Sequence, residues 1–204
     1  MSLFFVFTID GDWETYFEAT LSKEERYPDK THLLNMVDEE IKLGRVINNR
    51  IVHFVHSSRI AEHFFHEPEF VVKWKEIEAA GGSVAVHCHR EKLYKEWHFD
   101  DEILMNKTIS GLTTVLREKG LHPRSYRGGF LAFSHKLIPI LEKNKLEIDF
   151  SCEPGRHLEI NGQLVADWRG APANFYRMSY QDATKLGDSK VVEVPLGIYI
   201  ERMS

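Results

Sequence analysis

The residues most able to do chemistry in this chain are two groups of acids and imidazoles that follow apolar runs. Asp10-Gly11-Asp12 places two carboxylates two residues apart. At that spacing one can ligate a metal while its neighbour stays available to take a proton. On its own, an Asp-Gly-Asp after an apolar run is more often only a turn. His87-Cys88-His89-Arg90-Glu91 is sharper, because His-x-His can offer two imidazoles to one divalent ion. With the Asp12 carboxylate, His87 and His89 would make a two-His, one-carboxylate set with open positions. Glu91 is a rival third ligand, and a His-rich polar loop without function is the alternative, since 11 His make close pairs common. His53 and His56 read as core or supporting residues, and His63 with His66 as surface-helix residues. Arg127 and Asp149 complete the set of ionisable groups near strand ends.

The elements that must position these groups follow from periodicity. Leu3 to Ile9 is a nearly continuous apolar run, as in a strand buried on both faces. Leu33, Leu34, Met36, Val37, Ile41 and Leu43 recur at helical spacing, and Arg50 to His56 reads as a second strand, giving a β-α-β unit. Helical stretches are expected through Ile60-Ala61 and from Phe70 to Ala80, then a strand over Ser83–Val86. An amphipathic helix runs from Glu102 to Lys119, a strand lies near Ser125-Tyr126, and Ser134 caps a further helix through Leu141. Leu146–Phe150 and Val191–Val194 are the last strands, with an irregular excursion between them and a hairpin around Asn161-Gly162. Alternating strands and helices predict one α/β domain over residues 1–204, a parallel sheet with helices outside, either open or a small barrel. In both, chemistry gathers at the carboxyl ends of the strands.

Composition excludes several classes. The net charge is −5, from 26 basic and 31 acidic residues, with no basic stripe to neutralise phosphates, so nucleic acid is not an expected partner. No apolar run approaches the roughly 20 residues of a membrane span. The apolar start lacks a basic lead-in and a cleavage site, which predicts a soluble, cytoplasmic protein. Cys88 and Cys152 suit neither a disulfide framework nor a zinc clip and are expected to be reduced, partly buried thiols. No phosphate-binding glycine motif points to a nucleotide cofactor.

Five segments in order resemble the motifs of the polysaccharide deacetylases. These are Thr8-Ile9-Asp10-Gly11-Asp12, Gly81 to His87, Tyr126-Arg127-Gly128-Gly129-Phe130, Ile148-Asp149-Phe150-Ser151-Cys152, and Val192-Glu193-Val194-Pro195-Leu196. The resemblance implies a distorted (β/α) barrel with about seven parallel strands and helices outside. It also implies one divalent metal, usually zinc, and removal of an acetyl group from an N-acetylated saccharide in cell-wall or surface-polysaccharide metabolism. Asp12, His87 and His89 would hold the metal. Asp10 would be the general base, oriented by Arg127, which Asp149 would support. The loop from Asp167 through Tyr176 resembles a substrate-side loop, where Trp168 and Tyr176 would stack on a sugar. Packing under the loop is the alternative for both rings.

The chain departs from the pattern in two places. Glu91 stands where many members carry a second His, with His89 supplied instead. Pro195-Leu196-Gly197 lacks the closing His that serves as general acid. Either His157 or His135 donates that proton, or the mechanism is altered, or catalysis is lost. A sugar-binding domain without turnover, an amidohydrolase acting on a non-sugar amide, and an interaction domain are the competing readings.

Overall fold

The computed structural model describes residues 6–11, 30–57, 64–89, 99–160 and 162–197. Its centre is a seven-stranded sheet. In chain order the elements are β1 (Phe7–Asp10), α1 (Lys30–Val46), β2 (Ile51–Ser57), α2 (Pro68–Ala79), β3 (Ser83–Cys88), α3 (Glu102–Glu118) and β4 (Ser125–Gly128). They continue with α4 (Ile138–Lys143), β5 (Ile148–Asp149), β6 (His157–Ile160), β7 (Gln163–Asp167), β8 (Tyr176–Arg177) and β9 (Val192–Glu193). Neighbours from β1 through β5 to β9 are parallel. The expectation of parallel strands with intervening helices therefore holds for six of them, while β8 runs antiparallel to β9. Among the described residues β1 and β8 are the two edges and no strand pairing closes the sheet into a barrel. The expected hairpin is β6 with β7, a separate antiparallel pair turning at Gly162.

Side-chain alternation divides the sheet into two unlike faces. One carries Ile51, Val55, Val84, Val86 and Tyr126 and packs against apolar residues of all four helices, including Leu33, Trp74, Ile109 and Leu141. The other carries Val52, Phe54, Ala85 and Phe150, a small cluster drawn from the sheet strands and the residue that follows β5. The helices thus cover one face, and the other, the inner face, carries a small apolar cluster of its own.

Local signals explain the helix limits. Pro68 opens α2, where a missing N–H costs nothing. Asp101 caps α3 by accepting from the Leu104 N–H at 2.9 Å. Ser134 accepts from the Lys136 N–H, as expected of a cap, but the first turn, His135–Leu137, is 3₁₀ and α4 follows it. His66 sits half-buried in another 3₁₀ turn, Phe64–His66, rather than on a surface helix. The helix expected at Ile60-Ala61 and the position of His63 lie outside the described residues.

Strand β1 corrects one expectation. Its run was read as buried on both faces, yet Phe7 is half exposed. The reason is its place at the sheet edge, where one side has no neighbouring strand. Both cysteines are fully buried and neither forms a disulfide. No helix among the described residues is long and apolar enough to cross a membrane.

Candidate metal centre

Register builds the centre on the inner face. His56 in β2, His87 in β3 and Arg127 in β4 are successive Cα partners across three parallel strands. Residues in register project to the same side, so this row lies beside the carboxyl ends of the strands, one step beyond Phe54 and Ala85. His89, two residues past His87, keeps the same side.

His56, His87 and His89 are all buried, and one nitrogen from each lies within 4.8 Å of the others. The Nε2 atoms of His87 and His89 are 3.0 Å apart, and the His56 ring centre lies 4.9 Å from that of His89. Two nitrogens on one tetrahedral zinc would be separated by about 3.3 Å, so the spacing suits such an ion. Three imidazoles form a donor set that zinc, copper, nickel or iron accepts and magnesium or calcium does not. His87 Nδ1 lies 2.9 Å from the Arg127 carbonyl oxygen, to which it donates. That bond leaves Nε2 as the ligating atom and fixes the ring plane.

The sequence reading left His56 outside the ligands, and the geometry brings it together with His87 and His89 as a group that could hold an ion. The reason is parity: His53 and His56 are an odd number of residues apart in one strand, so they face opposite sides. His53 turns to the helices, stacking on Trp74 at 4.2 Å with its Nδ1 2.7 Å from Glu40 Oε2. The expected ligand Asp12 and its rival Glu91 lie outside the described residues.

Beside the imidazoles stands the pair Arg127–Asp10. Arg127 is 3% exposed, and its guanidinium lies 4.5 Å over the Phe54 ring and 5.9 Å from that of Phe150. Its Nη1 donates to Asp10 Oδ1 at 2.7 Å, Nη2 to Thr8 Oγ1 at 2.8 Å and Nε to the Phe150 carbonyl at 3.0 Å. Three directed bonds from a planar fork aim one carboxylate. Asp10 keeps a third of its side-chain surface open, so it is both held and accessible.

Asp149 does not touch this guanidinium. It lies in register with Tyr126, on the opposite face of the sheet, and accepts from Ser151 Oγ at 2.8 Å. Ser151 Oγ in turn accepts from the Gly128 N–H at 2.9 Å. Its link to Arg127 is through that bonded bridge and through charge.

The segment after Arg127 folds tightly over the imidazoles. Phe130 and Leu131 have φ of 53° and 61°, left-handed backbone that costs non-glycine residues energy. The Phe130 ring centre is 5.3 Å from His89. A Cβ on Gly129 would stand 2.7 Å from the His89 ring, and one on Gly128 only 1.9 Å from the Ala132 carbonyl oxygen. Gly129→Ala is therefore expected to displace His89 and weaken metal binding by about 10–100-fold, the range for lost support of a ligand. Competition with a chromophoric chelator measures it.

The two aromatic residues expected at a sugar are both packed away. Trp168 is buried and donates its indole N–H to the Leu131 carbonyl at 2.9 Å. Tyr176 is buried and donates its hydroxyl to the Ala183 carbonyl at 2.7 Å. An edge of Trp168 still lines an open cavity of about 600 Å³, together with Phe133, His135, Gln163, Asp167 and Gln181. Of the two residues considered as proton donors, His135 faces this cavity, whereas His157 lies 3.1 Å from Glu159 and 3.6 Å from Asp167 within the hairpin.

No protein-family model matches the chain, and no curated protein is significantly similar to it. Among solved structures it resembles a crystal structure from Mycobacterium smegmatis that is provisionally described as a polysaccharide deacetylase. The TM-score is 0.59 at 19% identity, over 94% of this chain. The match spans 58% of the other chain's length. At that identity the likeness establishes a shared α/β fold.

Proposed function

We propose that the chain is a metal-dependent hydrolase that removes the acetyl group from an N-acetylated saccharide. The observation that carries this reading is the meeting, at one rim, of three buried imidazoles with an accessible carboxylate aimed by Arg127. The fold shared with the M. smegmatis protein supports it. His56, His87 and His89 would hold one divalent ion, with zinc first among the candidates, and Asp12 is a further ligand by sequence.

Such an ion polarises an amide carbonyl and lowers the pKa of water bound to it. Asp10, its orientation fixed by the guanidinium, would be the carboxylate that accepts a proton from the attacking water. Phe130, over His89, shields the imidazoles from solvent on one side. The Trp168-lined cavity would take neighbouring sugar units, with the polar groups of Gln163 and Gln181 on its wall. We place the activity in cell-wall or surface-polysaccharide metabolism, on a cytoplasmic precursor, carried out by residues 1–204 as one domain.

The test is elemental analysis of purified protein beside acetate release from N-acetylglucosamine oligomers. About one zinc-class ion per chain together with acetate release is the expected result. Absence of metal after reconstitution would overturn the proposal. A second reading, sugar binding without turnover, is favoured by one observation. The closing stretch Pro195-Leu196-Gly197 offers no His, and there the Leu196 N–H donates to the Cys152 carbonyl at 2.8 Å. Metal and sugar binding without acetate release would select it. Release from small non-sugar amides alone would move the substrate class.

A further inference from the structure

Two carboxyl groups on the helix-covered face have no part in the chemistry above. Asp149 in β5 and Glu193 in β9 are Cα partners in the parallel ladder, so their side chains project side by side. Neither exposes any surface. Asp149 Oδ1 accepts from Ser151 Oγ at 2.8 Å, and Glu193 Oε1 accepts from the Cys152 N–H at 3.1 Å. The remaining oxygens, Asp149 Oδ2 and Glu193 Oε2, are buried with no hydrogen-bond donor as partner, so a proton shared between these two neighbouring side chains is what would satisfy them. An ionised carboxylate only accepts, so a bond between two carboxyl groups requires a proton on one of them.

The groups facing the pair are Tyr126 from β4, Ser151 and Cys152 just beyond β5, and Tyr176 from β8. None of these is a cation, and Arg127 contributes its charge only from across the sheet. Asp149 receives hydrogen bonds from Ser151 as well as the pull of Arg127, whereas Glu193 has the single backbone donor. The negative charge is therefore better placed on Asp149 and the proton on Glu193.

The geometry points to a one-proton carboxyl pair, Glu193 donating to Asp149, that fastens β9 to β5 and positions the strand end carrying Arg127. The route of that positioning is short. Asp149 orients the Ser151 hydroxyl, whose oxygen holds the Gly128 N–H, the residue directly after Arg127. Arg127 in turn holds the Asp10 carboxylate and receives the His87 ring on its carbonyl. Glu193 and Asp149 are thus positioning residues that reach the centre from behind the sheet. Only the use of this device rests on the hydrolase reading; the shared proton does not.

Burial raises both groups above the usual carboxylate range, Glu193 well above it. The folded state then keeps a proton that the unfolded chain releases. The stability this contributes is full below the ordinary glutamate range, and is lost as pH rises toward the folded value. Burial likewise pushes the Cys152 thiol up to about 12, with the charge of Asp149 adding to it.

Three measurements on the full chain test the pair without recourse to activity. The infrared spectrum at neutral pH should contain a protonated-carboxyl carbonyl stretch that Glu193→Gln removes. The urea midpoint of the wild type, relative to Glu193→Gln, should fall steadily as pH rises from about 5 to about 8. The Arg127 Nε–H signal in the nuclear magnetic resonance spectrum should move through alkaline titration of the wild type and stay fixed in the variant. Absence of the carbonyl stretch, or parallel pH curves for the two proteins, would overturn the shared proton. An Arg127 signal equally insensitive in both would overturn the positioning role. Asp149→Asn, whose amide can donate to an ionised Glu193, provides the same comparison if the first variant folds poorly.

Discussion

His87→Ala is expected to abolish metal retention at the proposed centre. A structural zinc site of four ligands is worth about 10–16 kcal/mol in apparent binding free energy, so one ligand carries on the order of 3 kcal/mol. Since 1.4 kcal/mol is a factor of ten, affinity should fall by roughly 100-fold or more. The loss is larger at His87 than a ligand count suggests, because its ring is already fixed by the bond to the Arg127 carbonyl at 2.9 Å. Elemental analysis after gel filtration measures the outcome, and chelator competition measures the residual affinity. His56→Ala should behave alike, which separates the three-imidazole centre from a two-His, one-carboxylate centre lacking His56. Full metal retention in His56→Ala would remove that residue from the centre.

The second large effect is expected at Arg127. Its three donors reach Thr8, Asp10 and the Phe150 carbonyl, joining β1 to β4 and the residue after β5 across the inner face. Arg127→Ala leaves those acceptors without a donor above that apolar cluster. Breaking a buried ion pair costs about 3–5 kcal/mol, and the partial exposure of Asp10 puts this case near 3 kcal/mol. Against the 5–15 kcal/mol total of an ordinary domain that is a severe loss, visible as a lowered urea midpoint. Arg127→Lys keeps the charge but cannot make three fixed bonds at once. It should retain more stability while acetate release falls by about 10²–10⁴, the usual contribution of an aligned general base. Wild-type release from the lysine variant would sink the role assigned to the Arg127–Asp10 pair.

Much of this centre was legible in the sequence, for a physical reason. Asp10, His87 and Arg127 end apolar strands, and such strands in a parallel sheet deliver their last residues to one rim. His56 was not legible, because it sits inside a strand already carrying His53. Choosing between them needs the register of β2 on β3, which no local spacing encodes. The parity was a usable signal: His56 shares its side with Val52 and Phe54, and His53 does not. Glu193 was hidden for a related reason, since a single acid between two valines reads as a half-exposed strand. That it lies beside Asp149, which the sequence reading named for its link to Arg127, becomes visible only once β5 and β9 are paired. The two-residue strand β8 is too short to leave any periodicity. Its antiparallel course is set by its bonds to β9 and by the bridge between Met178 and Leu186.

The row of register partners from His56 through His87 to Arg127 has a further consequence for how the sheet assembles. A slip of β3 by one residue against β2 would exchange His87 for Val86 or Cys88 on the inner face, leaving no set of nitrogens to gather. An ion captured by all three imidazoles therefore rewards a single alignment of two strands whose apolar faces would accept others. Metal uptake at the proposed centre would then act as proofreading of strand pairing, and refolding in the presence of the ion should yield fewer misaligned chains than refolding without it.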